Sequence, residues 1–135
     1  MKPGDYMRDL VKAYKVLADE SRLRVLNLLL ERECCVCEVM QALEISQSKA
    51  SRILSALYDV GFFKLRRDGL WSLYSIDWEG MDSHLKDILQ ATREALEGNK
   101  QMAIDRDRLK AAERVGPGCV NKAGQAPLSP KAPRS

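Results

Sequence analysis

Hydrophobic residues in the first half of the chain recur every three to four positions, a spacing that predicts a series of helices. The first helix is expected at about residues 5–18. A second should follow Asp19, because its carboxylate can accept hydrogen bonds from the first amides of a helix. A short third helix is expected at about residues 36–43. A fourth should begin after Ser46, another good N-cap, and end at Gly61, where glycine permits a left-handed helix stop.

After Gly61, the spacing of hydrophobic residues changes from one that is typical of helices to the alternation that is typical of strands. Residues 63–67 and 70–76 are predicted strands, and Asp68 and Gly69 between them predict a hairpin whose two turn residues both have positive φ. A last helix should run from about residue 81 past residue 96, and it continues to about residue 112 unless Gly98 and Asn99 interrupt it. Two helices joined by a short turn and followed by a hairpin predict a mainly α fold with a small β-hairpin, the winged helix-turn-helix.

The composition divides the 135-residue chain at about residue 112. Residues 1–112 are expected to form the folded domain. Residues 113–135 hold four of the five prolines and three of the eight glycines, which predicts a disordered tail. Since no apolar run approaches the ~18 residues of a membrane span, and no apolar segment of a signal peptide follows the first residues, we expect a cytoplasmic protein with reduced cysteines and no membrane contact.

The positive charge of the folded part is local. The net charge is +3, but residues 113–135 alone sum to +3, so the rest of the chain is neutral. Residues 47–67 nevertheless hold five basic side chains against one acidic one, as a surface that contacts phosphate requires. An ordinary solvated face is the simpler alternative. The chain has no recognisable nucleophile–histidine–acid set, phosphate loop or cofactor motif, so we do not expect an enzyme.

The fourth helix has the pattern of a helix that reads DNA. Its apolar stripe faces the core, and at about 100° per residue Ser48 and Arg52 fall on the opposite face. Gln47 and Ser51 flank that polar face, and Lys49 lies on its other side. Small serines allow close approach to a groove, and the longer side chains reach base edges or phosphates. Contacts to DNA are therefore predicted for these residues and for two at the hairpin tip: Gln47, Ser48, Lys49, Ser51, Arg52, Arg66 and Arg67.

Three of the four cysteines lie within four positions, just before the third helix. Cys35 is placed as the N-cap, with Glu38 as the partner of a capping box. Cys35 and Cys37 would point about 200° apart on an ideal helix, but a cap residue is not helical. The positive end of the helix dipole favours thiolates there, and thiolates select soft ions. Buried cysteines that act only as small hydrophobes are the simpler alternative.

A trivalent ion such as arsenite or antimonite requires a third thiolate. Cys34 is adjacent, whereas Cys119 is distant and would have to fold back on the tail at a cost in loop-closure entropy. We expect Cys34 on this ground and keep Cys119 as the alternative. His84, the one histidine, is expected to be a surface residue.

Three motifs resemble the ArsR/SmtB family of bacterial metal-responsive repressors. Residues 18–26 (ADESRLRVL) resemble the second-helix motif, residues 33–39 (ECCVCEV) the arsenic-sensing motif, and residues 46–52 (SQSKASR) that of the recognition helix. The resemblance implies a homodimer with the first and last helices at its interface. It also implies an operator of two half-sites, and release of DNA when As(III) or Sb(III) binds the cysteines. No cofactor is expected for DNA binding itself.

The chain departs from the family at two places. Met40 stands where arsenic sensors of this type often have a further cysteine. Asp82 and His84 match the start of the ligand set of zinc sensors, but Ala95 and Gly98 occupy its later positions. We predict a metalloid-responsive repressor in which ion binding pulls on the third helix and reorients residues 47–52. A sensor of cadmium, lead or zinc and a thiol-redox switch of the same fold are the alternatives.

Overall fold

A computed structural model describes residues 6–114, which form six helices and one two-stranded hairpin. In chain order the elements are α1 (Tyr6–Leu17), α2 (Glu20–Glu31), α3 (Val36–Leu43), α4 (Gln47–Val60), β1 (Phe63–Asp68), β2 (Trp71–Ile76), α5 (Ser83–Leu96) and α6 (Lys100–Ala111). Helices α3 and α4, joined by residues 44–46, form the helix-turn-helix, and the hairpin is the wing. No helix between residues 6 and 114 combines the length and apolar character that a bilayer crossing requires.

The helix boundaries agree with the predicted capping residues. Asp19 Oδ2 accepts a hydrogen bond from the backbone amide of Arg22 at 3.0 Å, and Ser46 Oγ accepts one from the amide of Lys49 at 3.1 Å. Gly61 ends α4 with a φ of 110°. These positions confirm the predicted starts of α2 and α4 and the end of α4.

The possible interruption near residue 98 is real. Gly98 adopts a φ of 80°, and Asn99 caps a new helix by accepting the amide of Met102 at 3.1 Å. The chain therefore turns between α5 and α6 instead of forming one long helix.

The predicted position of the hairpin turn was wrong by one residue. Phe63 pairs with Ile76 and Asp68 still pairs with Trp71, so the loop consists of Gly69 and Leu70. Of these two loop residues, only Gly69 has a positive φ, 62°. A two-residue turn with glycine at its first position does not need a positive φ at its second position. The shift places Asp68 at the end of β1 instead of in the turn.

The core lies between the helices and the wing. Its largest fully buried side chains come from α2, α4, α5 and the residue just before β1, and include Leu26, Leu28, Leu54, Leu57, Phe62 and Leu89. The apolar stripe predicted for α4 is buried as expected. This packing fixes α4 against α2, so that its polar face is left outward.

Helix α6 returns across α2 and α3 and is held there by a buried ion pair. Asp105 is fully buried, and both of its oxygens accept hydrogen bonds from Arg24, at 2.8 and 2.9 Å. The hydrogen bond to Asp105 raises the pKa of Arg24 against the opposing effect of burial. In addition, the backbone oxygen of Leu109 accepts from Arg32 Nη2 at 3.0 Å. The carboxyl end of α6 is thereby fixed beside α3.

Removing the buried carboxylate should destabilise the protein. We expect Asp105→Asn to lower the free energy of unfolding by ~2–3 kcal/mol, because Arg24 loses a charged partner in a site that is only partly solvated. Asp107→Asn on the exposed face of the same helix should stay within ~0.5 kcal/mol of the parent. Urea denaturation followed by circular dichroism measures both values, and equal midpoints for the two variants would contradict this role of Asp105.

Candidate metal centre and DNA-reading surface

Cys35 and Cys37 come together at the amino end of α3. Their Sγ atoms lie 2.9 Å apart, and the two residues are 1% and 0% exposed. Cys35 is the N-cap, with an extended backbone at φ −94° and ψ 172°, so the helical angle of about 200° does not apply to the pair. Both side chains pack against Leu73 and Trp71 of β2. The site therefore offers two sulfur donors in an apolar setting between α3 and the wing.

The Glu38 carboxylate contacts both the capped end of α3 and two arginine side chains. The backbone amide of Cys35 donates to Glu38 Oε1 at 2.9 Å, which is the glutamate half of the predicted capping box. Glu38 is buried, and Arg32 and Arg114 pair with its carboxylate at 2.9 and 3.3 Å. Desolvation alone would lower the pKa of Arg114, but the charges of Glu38 and Cys35 and the hydrogen bond to Glu38 raise it. Two guanidinium groups thus pair with the carboxylate that caps the amide of Cys35.

The chain after α6 ends at the same site. The side-chain amide of Gln41 donates to the backbone oxygen of Glu113 at 2.7 Å, and the Glu113 amide donates to Gln41 Oε1 at 3.1 Å. The thiol of Cys37 lies 3.7 Å from the same Glu113 oxygen. Glu113 and Arg114, which were predicted to belong to the tail, therefore contact α3. The sequence did not point to Gln41, since no local pattern connects two residues that are 72 positions apart.

Cys34 is placed differently from the other two cysteines. Its backbone pairs with Tyr74 of β2 through hydrogen bonds of 2.9 and 2.8 Å, and its thiol donates to the backbone oxygen of Arg32 at 3.4 Å. It packs in the main core, whereas Cys35 and Cys37 belong to the separate cluster on β2. Burial, with a smaller effect of the Glu38 charge, raises the pKa of Cys34 to about 12.

This placement does not support our expectation that Cys34 is the third thiolate. Successive side chains of an extended backbone point in opposite directions, so Cys34 and Cys35 separate although they are neighbours. Cys119, the alternative, lies outside the described residues. Between residues 6 and 114, no three His, Cys, Asp or Glu side chains are grouped closely enough to hold a metal ion.

The segment that carries the cysteines is joined to both strands of the wing. The carboxylate of Glu33 accepts two hydrogen bonds from Arg66 of β1, at 3.0 and 2.6 Å. The hydrogen bond from Arg66 is the main reason that the pKa of Glu33 is lowered. On β2, Tyr74 forms the bridge to Cys34. Arg66, which we predicted as a DNA contact, is therefore paired with Glu33, whereas exposed Arg67 lies one position further along β1.

A cleft of about 230 Å³ connects the cysteine site with the DNA-reading elements. Its lining includes Cys35, the wing residues Arg67 and Trp71, and Gln47, which is the first residue of α4. Cys35, the start of α4 and the wing thus border the same cleft.

The polar face of α4 has the exposure that contact with DNA requires. Ser48, Lys49 and Arg52 are exposed, and Gln47 and Ser51 are half-buried. Lys49 and Arg52 also line a second cleft, of about 270 Å³, together with Arg22 from the first turn of α2. Arg22 adds a third basic side chain at the amino end of a helix, a place that suits phosphate. The predicted set of DNA contacts omitted it, because it is distant from α4 in sequence.

The expectation that His84 is a surface residue is met only in part. His84 is half-buried, and its ring packs on Tyr6 of α1 with 4.9 Å between the ring centres. Its Nε2 atom is buried and has no hydrogen-bond partner among residues 6–114. His84 therefore joins the amino ends of α1 and α5.

Comparison with known proteins identifies the family. A family model described as bacterial regulatory protein, arsR family, matches residues 19–63. The arsenic resistance transcriptional regulator ArsR1 of Pseudomonas putida is 40% identical over 101 residues, which cover 70% of this chain and 79% of that protein. The chain belongs to the ArsR family. Its membership confirms the winged helix-turn-helix and the expectation of a transcription regulator that is not an enzyme.

Other relatives differ in the metal that their names state. The cadmium resistance transcriptional regulatory protein CadC homolog of Staphylococcus aureus is 36% identical over 83 residues, 61% of this chain and 65% of that protein. Among solved structures, reduced HlyU from Vibrio cholerae matches with a TM-score of 0.57 and 26% identity, over 68% of this chain and 93% of that chain. ArsR/SmtB relatives thus include both arsenic and cadmium regulators.

Proposed function

We propose that this protein is a metalloid-responsive repressor that binds operator DNA as a homodimer and is released when arsenite or antimonite binds Cys35 and Cys37. The observation that carries the proposal is the 2.9 Å separation of two buried sulfur atoms at the amino end of α3, within the helix-turn-helix. The similarity to an arsenic resistance regulator of Pseudomonas putida supports it. We expect the protein to act in the cytoplasm and to repress an operon that confers metalloid resistance.

The donor set suits a soft trivalent ion. Thiolates are the ligands that soft ions prefer, and Cys35 and Cys37 supply two of the three that pyramidal As(III) or Sb(III) accepts. The pair lies at the amino end of α3, where the positive end of a helix dipole favours thiolate ligands. Because the pair is buried against Leu73 and Trp71, hard ions that need water and oxygen ligands are disfavoured.

Release of DNA is a consequence of the connections of residues 33–37. An ion that draws the sulfur atoms of Cys35 and Cys37 to itself moves the first turn of α3, which is half of the helix-turn-helix. The same segment is tied to the wing through Glu33 and Arg66 and through the backbone of Cys34. The polar face of α4 and the wing must hold one relative position to fit DNA, so a shift of either weakens binding. By linkage, DNA weakens ion binding by the same factor.

The surface of α1 supports a homodimer. Its large apolar side chains Tyr6, Met7, Val11 and Tyr14 are exposed in the single chain, and such a patch marks a protein interface. A two-fold dimer would present two copies of α4, which matches an operator of two half-sites.

The ion pair between Glu33 and Arg66 provides a test of the link to the wing. We expect Glu33→Gln to reduce the effect of arsenite on operator affinity by ~2- to 30-fold, the range for residues that carry coupling between sites. Glu31→Gln, which removes an exposed carboxylate two residues away, should change nothing. Fluorescence anisotropy with labelled operator, with and without arsenite, measures the ratio. An unchanged ratio in Glu33→Gln would exclude this pair from the coupling.

A panel of inducers tests the identity of the ion. Arsenite should release operator DNA at lower concentration than cadmium, lead or zinc, and peroxide without metal should not release it. The CadC homolog of Staphylococcus aureus favours a second candidate, a cadmium sensor that uses the same sulfur pair. Release by cadmium at concentrations where arsenite has no effect would replace the proposal with that candidate, and release by peroxide that dithiothreitol reverses would replace it with a redox switch.

A further inference from the structure

We propose that Gln41 is a positioning residue of the ion site, which holds the backbone of Glu113 against the sulfur of Cys37. An ion that binds Cys37 must then displace Glu113, so the contact between Gln41 and Glu113 opposes ion binding and sets how tightly the site holds its ligand. This inference rests on the proposed function. It follows from the hydrogen bonds of one buried side chain and from the contact between one carbonyl oxygen and one sulfur atom.

Gln41 joins Glu113 to the helical turn that carries Cys37. Its side-chain nitrogen Nε2 donates to the backbone oxygen of Cys37 at 3.0 Å and to that of Glu113 at 2.7 Å. Its Oε1 atom accepts from the backbone amide of Glu113 at 3.1 Å. A side-chain amide has two N–H donors and one oxygen, so all three groups are used here. Because Gln41 is 3% exposed, water does not compete for these hydrogen bonds.

The Glu113 carbonyl group covers the sulfur of Cys37. Its oxygen accepts from that thiol at 3.7 Å as well as from Gln41. Arg114, the next residue, adds a pair with Glu38 at 3.3 Å. Since Cys37 is 0% exposed, an ion reaches its sulfur only if a neighbouring group moves. Glu113 is exposed and follows the last residue of α6 by two positions, so it can move without breaking a helical hydrogen bond.

The contact between Cys37 and Glu113 requires the thiol proton. When arsenite, As(OH)₃, binds Cys37, one As–S bond replaces one As–O bond, and the thiol proton leaves with the hydroxide as water. No electron is transferred. The sulfur then has no proton to donate, and the Glu113 oxygen that Gln41 holds there faces an atom that can only accept a hydrogen bond. The hydrogen bonds of Gln41 therefore stabilise the ion-free site, and the ion in turn weakens them by the same factor.

A matched control lies at the other end of α6. Asn27 is also a buried side-chain amide on a helix, and its Nδ2 atom donates to the backbone oxygen of Met102, in the first turn of α6, at 3.2 Å. Gln41→Met and Asn27→Leu each replace a buried amide by an apolar side chain of similar size. Both variants remove a contact to the backbone of residues 100–114, but only Gln41→Met frees the residue that contacts Cys37.

The first measurement is the affinity of the full-length protein for arsenite without DNA, by calorimetric titration with sodium arsenite. We expect Gln41→Met to bind arsenite about 5- to 150-fold more tightly than the parent, which is the range for the net contribution of two hydrogen bonds. Asn27→Leu should bind it with the affinity of the parent. An affinity of Gln41→Met that equals or falls below that of the parent would overturn the inference, because removal of a residue that only supports the site does not tighten binding.

The second measurement is the access of a reagent to the sulfur atoms without any ion. Iodoacetamide should alkylate Cys37 at least about fivefold faster in Gln41→Met than in the parent, as followed for each cysteine by mass spectrometry. Cys34 in the main core should keep its rate, and an equal increase at both cysteines would indicate general unfolding and overturn the inference. Failure of the parent to bind arsenite would overturn the proposed function, whereas the alkylation rates would still decide whether Gln41 holds Glu113 over Cys37.

Discussion

Replacing Cys37 by serine should abolish release of operator DNA by arsenite and leave operator affinity without arsenite unchanged. Cys37 is fully buried at the amino end of α3 and lies 2.9 Å from the sulfur of Cys35, so the proposed ion would bind these two atoms together. A hydroxyl keeps the size of the side chain but is a poor ligand for a soft ion. We therefore expect no release at arsenite concentrations up to at least about 100-fold above the half-release point of the parent, measured by anisotropy of labelled operator.

The control for this experiment is the neighbouring cysteine. Cys34→Ser makes the same chemical change in the main core, where it should cost ~1–3 kcal/mol of stability from an added buried hydroxyl and leave release by arsenite intact. Circular dichroism must show that both variants are folded under the conditions of the assay. Release of Cys37→Ser at the arsenite concentration of the parent would mean that the ion binds elsewhere.

Replacing Arg52 by alanine should weaken operator binding strongly and leave arsenite binding unchanged. Arg52 is exposed on the polar face of α4 and lines a cleft with Lys49 and Arg22. A good contact between a side chain and a base contributes ~1–3 kcal/mol, and a dimer makes it once in each half-site, so we expect a loss of ~2–6 kcal/mol. Arsenite affinity should stay constant, because Cys35 and Cys37 are not altered.

A change of charge alone must be separated from loss of a specific contact. Lys110→Ala removes one exposed positive charge from α6, at a distance in sequence from α4, and should change operator affinity little. The dependence of affinity on salt provides a second readout, because each lost phosphate contact reduces the slope by ~0.9. Equal losses in Arg52→Ala and Lys110→Ala would mean that α4 does not read the operator.

The features that sequence predicted well depend on residues close together in the chain. Asp19 and Ser46 each accept an amide three residues ahead, and Gly61 is needed where φ is positive. Such capping contacts are complete within one helical turn, so their residue types and spacing are sufficient to locate them. The sulfur pair belongs to the same class, because Cys35 and Cys37 are separated by one residue and the cap conformation brings them together.

The features that sequence did not predict join distant parts of the chain. Gln41 meets Glu113 over 72 positions, and Glu33 meets Arg66 over 33. Neither pair has a periodic pattern or a fixed spacing, since both result from the packing of α6 on α3 and of the wing on the segment before α3. The direction of the Cys34 side chain also depends on a distant contact, since it is set by the backbone bridge to Tyr74. The spacing of the three cysteines along the chain does not reveal that bridge.

If the sulfur pair and the polar face of α4 are energetically coupled, arsenite and operator DNA must weaken each other's binding. Arsenite affinity should be measured by titration of the parent protein alone and in the presence of saturating operator DNA. We expect operator to weaken arsenite binding by the same factor by which arsenite weakens operator binding, as linkage requires. Equal arsenite affinity with and without operator would mean that the two sites are not coupled.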